Sequence, residues 1–285
     1  VFGVEDCVYY PTPNLSPYDW TGDERMSSHQ RHAIRYRLLN TPNPPRCILT
    51  TYKAATHLMM DNITWYQSTL TLYPGDVMSP PEIVQHLIQS GYEPVSWVSE
   101  HGQFTRRGAV LDVYPVGCDE VVRLEWFDDE IENVFTYHLN DNLSKPQKQK
   151  YVTIPPAFEW LIPTDHKALK TKLQESHRGN YLTYLQHMEY RPELYQIMRY
   201  FHPVTTLMGC LAKDSVLVWP EDIWLKCKSY AYKLDNRAEE QKISPMHFGL
   251  AEIKALHQSY TQHCLTGPDG KVFPVLLPPL EKTLS

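Results

Sequence analysis

Residues 100–115 of this 285-residue chain read EHGQFTRRGAVLDVYP, and residues 122–132 read VRLEWFDDEIE. Both stretches are rich in the β-branched and aromatic residues that favour strands. They predict strands at Gln103–Tyr114 and Val121–Phe127. The intervening Pro115–Glu120 carries the proline, glycine and acidic residues of a turn, so the pair is predicted to be a hairpin.

Charged residues lie inside these predicted strands. Because side chains alternate along a strand, one set shares a packed face: Val122, Leu124 and Trp126. The other set shares the opposite face: Arg123, Glu125 and Phe127. Arg123 and Phe127 would lie roughly 13 Å apart there. Glu125 marks this face as the solvent side, and Phe127 is therefore expected to be exposed.

Two interpretations of this face remain open at this point. An arginine beside an exposed aromatic ring is a typical anchor of a protein interface. Alternatively, the face is only a charged outer surface on which Arg107 and Arg123 pair with Glu125 or Asp128. Composition alone favours the second interpretation, because surface charge pairs are common and contribute little to stability.

The surrounding residues predict a small α+β unit with an antiparallel sheet. Ser68–Tyr73 alternates as a half-exposed strand does. A helix is predicted to begin at Ser79–Pro80, where Glu82 can close a capping box, and to end at Gly91. Further strands are predicted at Pro94–Val98 and Asn133–Leu139.

The flanking regions alternate strands and helices, which favours an α/β layer with parallel strands. Before the α+β unit, the predicted elements are strand Val8–Tyr10, helix Ser28–Leu39, strand Cys47–Thr51 and helix Tyr52–Met60. After it, they are helices Lys167–Ser176 and Tyr181–Glu189, strand Ser215–Trp219, helices Pro220–Lys242 and Leu250–Tyr260, and an extended proline-rich tail Val272–Pro279.

The bulk composition excludes several classes of protein. The net charge is -6, so no overall basic field would hold a nucleic-acid backbone, and the partner is expected to be a protein. No apolar run approaches the ~20 residues of a membrane helix, and the first residues show no signal peptide. The six scattered cysteines form no CxxC pair, which indicates reduced, mostly buried thiols and a cytoplasmic protein.

The sequence offers no nucleotide site or nucleophile. The twelve glycines include no GxxxxGK[ST] loop, and the nearest candidate, Gly267–Lys271, has the spacing of a turn. Residues 129–132 superficially resemble the acidic motif of a helicase motor. Without a phosphate loop these acids are better interpreted as a solvated turn. A GxSxG motif is also absent.

The thirteen histidines do not form a metal-ligand pattern. His257, His263 and Cys264 are close in sequence, but their spacing matches no zinc motif. His29 and His32 lie three apart on a predicted helix without a third ligand nearby. Packing or surface roles are the better interpretation, and neither a metal nor a cofactor is predicted.

The segment 100–132 resembles one shared by UvrB and the bacterial transcription-repair coupling factors (Mfd). The resemblance rests on a glycine and an aromatic, Arg107-Gly108, Leu111-Asp112-Val113-Tyr114-Pro115, and Arg123-x-Glu125-x-Phe127 with its acidic tail. It extends to Tyr10–Asp19, to Ser79–Tyr92 and, more loosely, to Tyr200–Val218. The chain thereby resembles the N-terminal, UvrB-homologous module of the coupling factors.

The resemblance implies a fold: a degenerate motor-like (P-loop NTPase-like) α/β domain interrupted by a small α+β domain that binds UvrA. The first part would be residues 1–65, the inserted UvrA-interaction domain 66–150, and the second part 151–285. In the family two arginines and a phenylalanine contact UvrA, and these positions fall on Arg107, Arg123 and Phe127. The family's Gln-Arg-[Ser/Thr] turn is replaced by Asn142-Leu143-Ser144.

The implied function is non-catalytic recruitment of UvrA to a lesion after RNA polymerase is displaced, in transcription-coupled nucleotide excision repair. In the family RNA polymerase and DNA are bound by other domains, and a distant domain masks the UvrA surface at rest. One alternative is part of a UvrB-like, ATP-dependent DNA translocase whose nucleotide site lies outside this segment, although we expect no ATP binding here. Another is a structural domain without a partner.

Overall fold

The computed structural model describes most of the chain outside its termini and one long internal stretch. The described residues are 6–14, 25–139, 146–161, 167, 171, 202–220, 222–240 and 247–265. The fold is mixed α/β with antiparallel sheets and contains a small α+β unit. No helix within these residues is long and apolar enough to cross a membrane.

The chain begins with a strand–helix–strand unit whose strands are parallel. Strand β1 (Cys7–Tyr10) pairs with β2 (Cys47–Thr50), and helix α1 (Arg25–Asn40) connects them. Tyr10 and Ile34 are buried between the layers. The predicted elements in this region are confirmed, since the helix gives way to extended chain before the prolines that follow Thr41.

The predicted helix Tyr52–Met60 is wrong in its second half. Helix α2 covers only Tyr52–Ala55, and Met59–Met60 forms β3, which pairs with the distant β12 (Val204–Thr205). The Thr56 hydroxyl donates to the carbonyl of Tyr52 at 2.8 Å and helps to close the short helix. Both methionines are fully buried, and this long-range pairing has no local sequence signal. A third helix, α3 (Asn62–Gln67), follows.

A six-stranded sheet with one helix forms the α+β unit. Its strands are β5 (Glu93–Pro94), β6 (Gln103–Arg107), β7 (Val110–Val113), β8 (Val121–Phe127), β9 (Glu130–Tyr137) and β10 (Gln147–Lys148), in the order β10-β9-β8-β7-β6-β5. All neighbours are antiparallel except β5 and β6. Strands β4 (Leu70–Leu72) and β11 (Val152–Ile154) pair antiparallel and bring the two ends of the unit together.

The predicted helix of this unit is confirmed as α4 (Pro80–Gln89). The Glu82 carboxylate accepts hydrogen bonds from the backbone N–H and the hydroxyl of Ser79, both at 2.7 Å, so the capping box forms as predicted. Ile83 and Leu87 are fully buried against the sheet. The helix therefore covers one face of the sheet. On the opposite face, here called the free face, Arg123 and Glu125 are half-buried and Phe127 is exposed, although Val121 at the start of β8 is buried.

The single predicted strand Gln103–Tyr114 is wrong, because it is a hairpin. The chain reverses at Gly108, whose φ of 62° lies in the left-handed region, and Arg107 pairs with Val110. Both strands of the hairpin keep the apolar alternation, so the sequence pattern predicts one continuous strand and no turn. Likewise only Pro94 of the predicted strand Pro94–Val98 belongs to the sheet, at the end of β5.

The last described region again contains a pair of parallel strands. Strand β13 (Val216–Pro220) pairs with β14 (Thr261–Leu265), and helices α5 (Ile223–Glu240) and α6 (Leu250–Gln258) connect them. The predicted strand and both helices are confirmed within a few residues. The predicted helices Lys167–Ser176 and Tyr181–Glu189 lie outside the described residues except for Lys167 and Thr171, and the tail Val272–Pro279 lies wholly outside them.

A buried ionic cluster ties helix α1 to the chain that leaves the α+β unit. Glu159 is 4% exposed and accepts a hydrogen bond from Arg31 Nη2 at 2.9 Å and one from the Ser28 hydroxyl at 3.3 Å. His57 also approaches this carboxylate at 3.5 Å. Burial raises the pKa of Glu159, but Arg31 and His57 outweigh it and hold the pKa well below its usual range. The carboxylate is therefore charged and paired inside the protein.

His32 lies beside this cluster on helix α1. Burial penalises the charged ring and lowers the pKa of His32 to about 3, despite the opposing effect of Glu159. His29, one turn earlier, packs its ring 5.3 Å from that of Phe158. Both histidines thus have the packing role predicted from the sequence. The side chains of His257, His263 and Cys264 lie outside the described set.

We expect Gly91→Ala to lower the free energy of unfolding by about 2–5 kcal/mol. The φ of Gly91 is 87°, which strains any residue with a Cβ, and the added methyl group would also overlap the Phe158 ring. Gly75→Ala is the matched control, because its φ is 95° but nothing lies within 4 Å of the new Cβ. It should cost only about 1–2 kcal/mol in urea denaturation. Equal losses would contradict the packing of Gly91 against Phe158.

Because of His32, we expect the free energy of unfolding to decrease as the pH falls below neutrality. The pKa of His32 is lowered to about 3 in the folded chain, so the unfolded chain binds the proton more tightly. The contribution is fully present above about pH 6.5 and is lost as the pH falls toward 3, by about 1.4 kcal/mol per unit. Between pH 7 and 5 the wild type should lose about 2 kcal/mol more than His32→Gln in urea titrations. The same loss in both proteins would disprove this assignment.

Candidate protein-docking surface

Strand β8 separates the packed and free faces of the sheet. Val122, Leu124 and Trp126 are buried, whereas Phe127 is 72% exposed and Arg123 and Glu125 are half-buried on the opposite side. The irregularity in the β8–β9 pairing between Glu125 and Trp126 does not reverse this alternation. The prediction that Phe127 is exposed on the solvent side is confirmed.

Arg123 is held by a carboxylate on the neighbouring strand. Its Nε and Nη2 donate to the two oxygens of Asp112 at 2.7 and 2.9 Å, because Asp112 and Arg123 are register partners on β7 and β8. The guanidinium carbon also lies 5.2 Å from the centre of the Tyr137 ring. The hydrogen bond that Arg123 donates to Asp112 raises the pKa of Arg123, so the side chain stays charged and pointed in one direction.

Arg107 lies at the end of β6, where it contacts an exposed tryptophan. Its guanidinium carbon is 3.6 Å from the centre of the Trp97 ring, a cation–π distance. Its Nη2 donates to the carbonyl of Ser96 at 2.7 Å. Neither arginine therefore pairs with Glu125 or Asp128 within the described part of the chain, which contradicts the particular pairs expected for an ordinary charged surface.

Phe127 ends β8 at a tight acidic turn. The next residue, Asp128, has a φ of 53°, which is uncommon for a residue other than glycine. Asp128, Asp129 and Glu130 are exposed, and Glu130 already belongs to β9. The predicted solvated turn at residues 129–132 is confirmed only at Asp129, because Glu130 begins β9 and Ile131 is buried. Asp128, Asp129 and Glu130 form a negatively charged rim beside the ring.

The cross-strand register places Arg107, Arg123 and Phe127 on one face. Arg107 pairs with Val110, and Val110 pairs with Glu125, so these three residues form one row across β6, β7 and β8. Arg123 lies two residues from Glu125 in one direction and Phe127 two residues in the other. Strand spacing puts Arg107 about 10 Å from β8. We call this face, with Asp112, Val110 and Glu125, the docking surface.

Sequence reasoning missed one residue of this surface and one beside it. The role of Asp112 depends on the β7–β8 register, which no local pattern predicts. The sequence predicts Trp97 within a strand, whereas it lies in the chain that follows β5. A tryptophan in an otherwise ordinary apolar segment gives no local sign that its ring lies in solvent beside an arginine.

Residues 70–160 match the family described as UvrB interaction domain. This range begins at β4 and ends just after Glu159, so it contains the whole sheet, helix α4 and the docking surface. The matched segment of the chain is therefore similar to the UvrB interaction domain over its whole sheet.

The proteins to which this chain is similar are transcription-repair-coupling factors and UvrABC system proteins B. The chain is 26% identical over 261 residues to the transcription-repair-coupling factor of Haemophilus influenzae, which covers 85% of this chain and 22% of that protein. It is 30% identical over 140 residues to that of Bacillus subtilis, covering 49% of this chain and 12% of the relative. The UvrABC system protein B of Vibrio vulnificus is 29% identical over 183 residues, covering 61% of this chain and 27% of that protein.

The chain spans only about an eighth to a quarter of the length of these relatives. The predicted resemblance to the UvrB-homologous module of the coupling factors is confirmed, since the family match and both groups of relatives agree.

Within the described residues, no three His, Cys, Asp or Glu side chains are grouped so that they could hold a metal ion. The five cysteines whose side chains are described are free thiols: Cys7, Cys47 and Cys118 are half-buried, and Cys210 and Cys227 are buried. The altered turn Asn142-Leu143-Ser144 lies outside the described residues.

Substitutions of two neighbouring residues on β8 should differ in their effect on stability, because the two side chains lie on opposite faces of the sheet. We expect Phe127→Ala to change the free energy of unfolding by less than about 0.5 kcal/mol, because the ring is already in water. Trp126→Ala should cost about 3–5 kcal/mol, since it removes a buried ring whose indole N–H donates to the carbonyl of Met78 at 2.8 Å. Urea denaturation measures both. A large loss for Phe127→Ala would show that its ring packs in the folded chain.

Proposed function

We propose that this chain is a non-catalytic docking module for UvrA that acts in transcription-coupled nucleotide excision repair. In this proposal the docking surface binds UvrA and brings it to the lesion after RNA polymerase is displaced. The observation that carries the proposal is the exposed Phe127 beside two oriented arginines on the free face of a UvrB interaction domain.

Phe127 and the two arginines would contribute to binding in different ways. Phe127 would be buried at the centre of the interface, where removing a phenylalanine side chain from water is worth about 1.5–3 kcal/mol. Arg123, oriented by Asp112, would donate its remaining N–H groups to acceptors on UvrA. Arg107 would do the same from its exposed edge. Because Asp112 fixes Arg123 before binding, little side-chain entropy is lost when the complex forms.

The proposal also includes the parts that flank the docking domain. Residues 1–65 and 151–285 would form a degenerate motor-like, P-loop NTPase-like α/β domain interrupted by the insert at 66–150. The parallel pairs β1–β2 and β13–β14, each connected through helices, support this arrangement. RNA polymerase and DNA would be bound by other domains of a longer, ATP-dependent factor in the bacterial cytoplasm, one of which masks the docking surface at rest.

We expect Arg123→Ala and Phe127→Ala each to weaken UvrA binding by at least about tenfold, the effect of losing one interface anchor. Binding of the purified chain to purified UvrA can be measured by isothermal titration calorimetry. Leu225→Ala is the matched control, since Leu225 is 71% exposed on helix α5, away from the sheet. Its affinity should equal that of the wild type.

Wild-type affinity in both Arg123→Ala and Phe127→Ala would overturn the assignment of this surface. A wild-type chain that does not bind UvrA at all would overturn the recruitment function itself. Far-UV circular dichroism of each variant shows that a loss of binding is not a loss of folding.

A further inference from the structure

Three large hydrophobic residues that are highly exposed lie in the unit that carries the docking surface. In the described part of the chain, five large hydrophobic residues are more than 70% exposed: Met26 75%, Val77 79%, Trp97 73%, Phe127 72% and Leu225 71%. Three of the five, Val77, Trp97 and Phe127, belong to the α+β unit. Exposed apolar residues scattered singly need no explanation, but a group around one sheet face marks a contact surface.

Val77 extends the apolar area on the side of Phe127. Val77 and Glu130 form an antiparallel bridge, and Glu130 pairs with Phe127. Directly paired residues in antiparallel strands point to the same side of the sheet. Val77 and Phe127 therefore flank Glu130 on the free face.

Trp97 lies at the opposite edge, and its position is fixed by the backbone around it. Val95 N–H donates to the carbonyl of Phe104 at 2.9 Å, and the side-chain oxygen of Gln103 accepts from the N–H groups of Ser99 at 2.9 Å and Glu100 at 3.0 Å. The backbone on both sides of Trp97 is thus tied to β6. With Arg107 covering one face of the indole, the other parts of the ring remain in water.

We propose that Trp97 is a second aromatic anchor of the docking surface and packs directly against UvrA. This inference rests on the proposed function and deepens it. Tryptophan and arginine are the residues most often found at the energetic centre of interfaces, and a rigid ring loses little entropy on binding. A partner that covers the stack removes water from the cation–π pair, which strengthens it.

The chemistry of the complementary patch on UvrA follows from this arrangement. Near Trp97 it presents apolar side chains, and beside them a carboxylate that reaches the open edge of Arg107. Near Phe127 it presents basic groups, because Asp128, Asp129 and Glu130 form the exposed rim at that end. The two ends of the docking surface therefore have opposite charge, which allows only one orientation of the partner.

The test measures UvrA binding by calorimetry for Trp97→Ala, Trp97→Phe, Arg107→Ala and the double variant Trp97→Ala/Arg107→Ala. We expect Trp97→Ala to bind at least about tenfold more weakly and Trp97→Phe to stay within about threefold of the wild type, since phenylalanine keeps an aromatic face. Trp97→Ala should also weaken binding further in the Arg107→Ala background. Phe127→Ala and Leu225→Ala are the positive and negative references.

Two results would overturn the inference and leave the proposed function intact. One is wild-type affinity in Trp97→Ala while Phe127→Ala is weakened. The other is no added loss from Trp97→Ala in the Arg107→Ala background, because Trp97 would then only position Arg107. Wild-type affinity in the variants of Trp97, Arg123 and Phe127 alike would reject the proposed function and this inference together.

Discussion

The two-residue period of β8 separates the interior of the α+β unit from the surface it offers to a partner. Val122, Leu124 and Trp126 pack beneath the sheet, and the residues between them can point only the other way. A shift of one residue would bury Arg123 and Phe127 and expose three core side chains. The β7–β8 register that pairs Asp112 with Arg123 therefore also fixes which residues a partner can reach.

The free face is organised by fixed rather than flexible side chains. Arg123 is held by the two hydrogen bonds that it donates to Asp112, and Arg107 is held between the Ser96 carbonyl and the Trp97 ring. Long charged side chains normally lose rotamer freedom when they bind. Here that loss has already occurred in folding, and the guanidinium groups keep donors that no described residue saturates. Such preorganisation suits a surface that must recognise one partner.

The buried cluster around Glu159 gives the α+β unit a defined connection to helix α1. A charged carboxylate inside a protein is tolerated only when it is paired and hydrogen-bonded, as Glu159 is by Arg31 and Ser28. The pairing of β4 with β11 closes the unit at the same place. The α+β unit is therefore joined to helix α1 by buried side-chain contacts as well as by the chain itself.

The sequence by itself determined those features that depend on neighbouring residues. The alternation in β8, the capping box of Ser79 and Glu82, and the short strands β1 and β2 all follow from local patterns of burial and hydrogen bonding. The exposure of Phe127 followed from the charged residue two positions before it. The assignment of Arg107, Arg123 and Phe127 to an interface came from the family resemblance and stays a prediction.

The tertiary structure decided everything that depends on residues far apart in the chain. The hairpin at Gly108 kept the apolar alternation of a single strand, so only cross-strand pairing shows that Arg107 lies beside Val110. Met59–Met60 became a strand because a partner strand lies at Val204–Thr205. Asp112 and Trp97 acquired their contacts in the same way. Local patterns record which side of an element faces water, but a contact between distant residues is specified only when the whole sheet assembles.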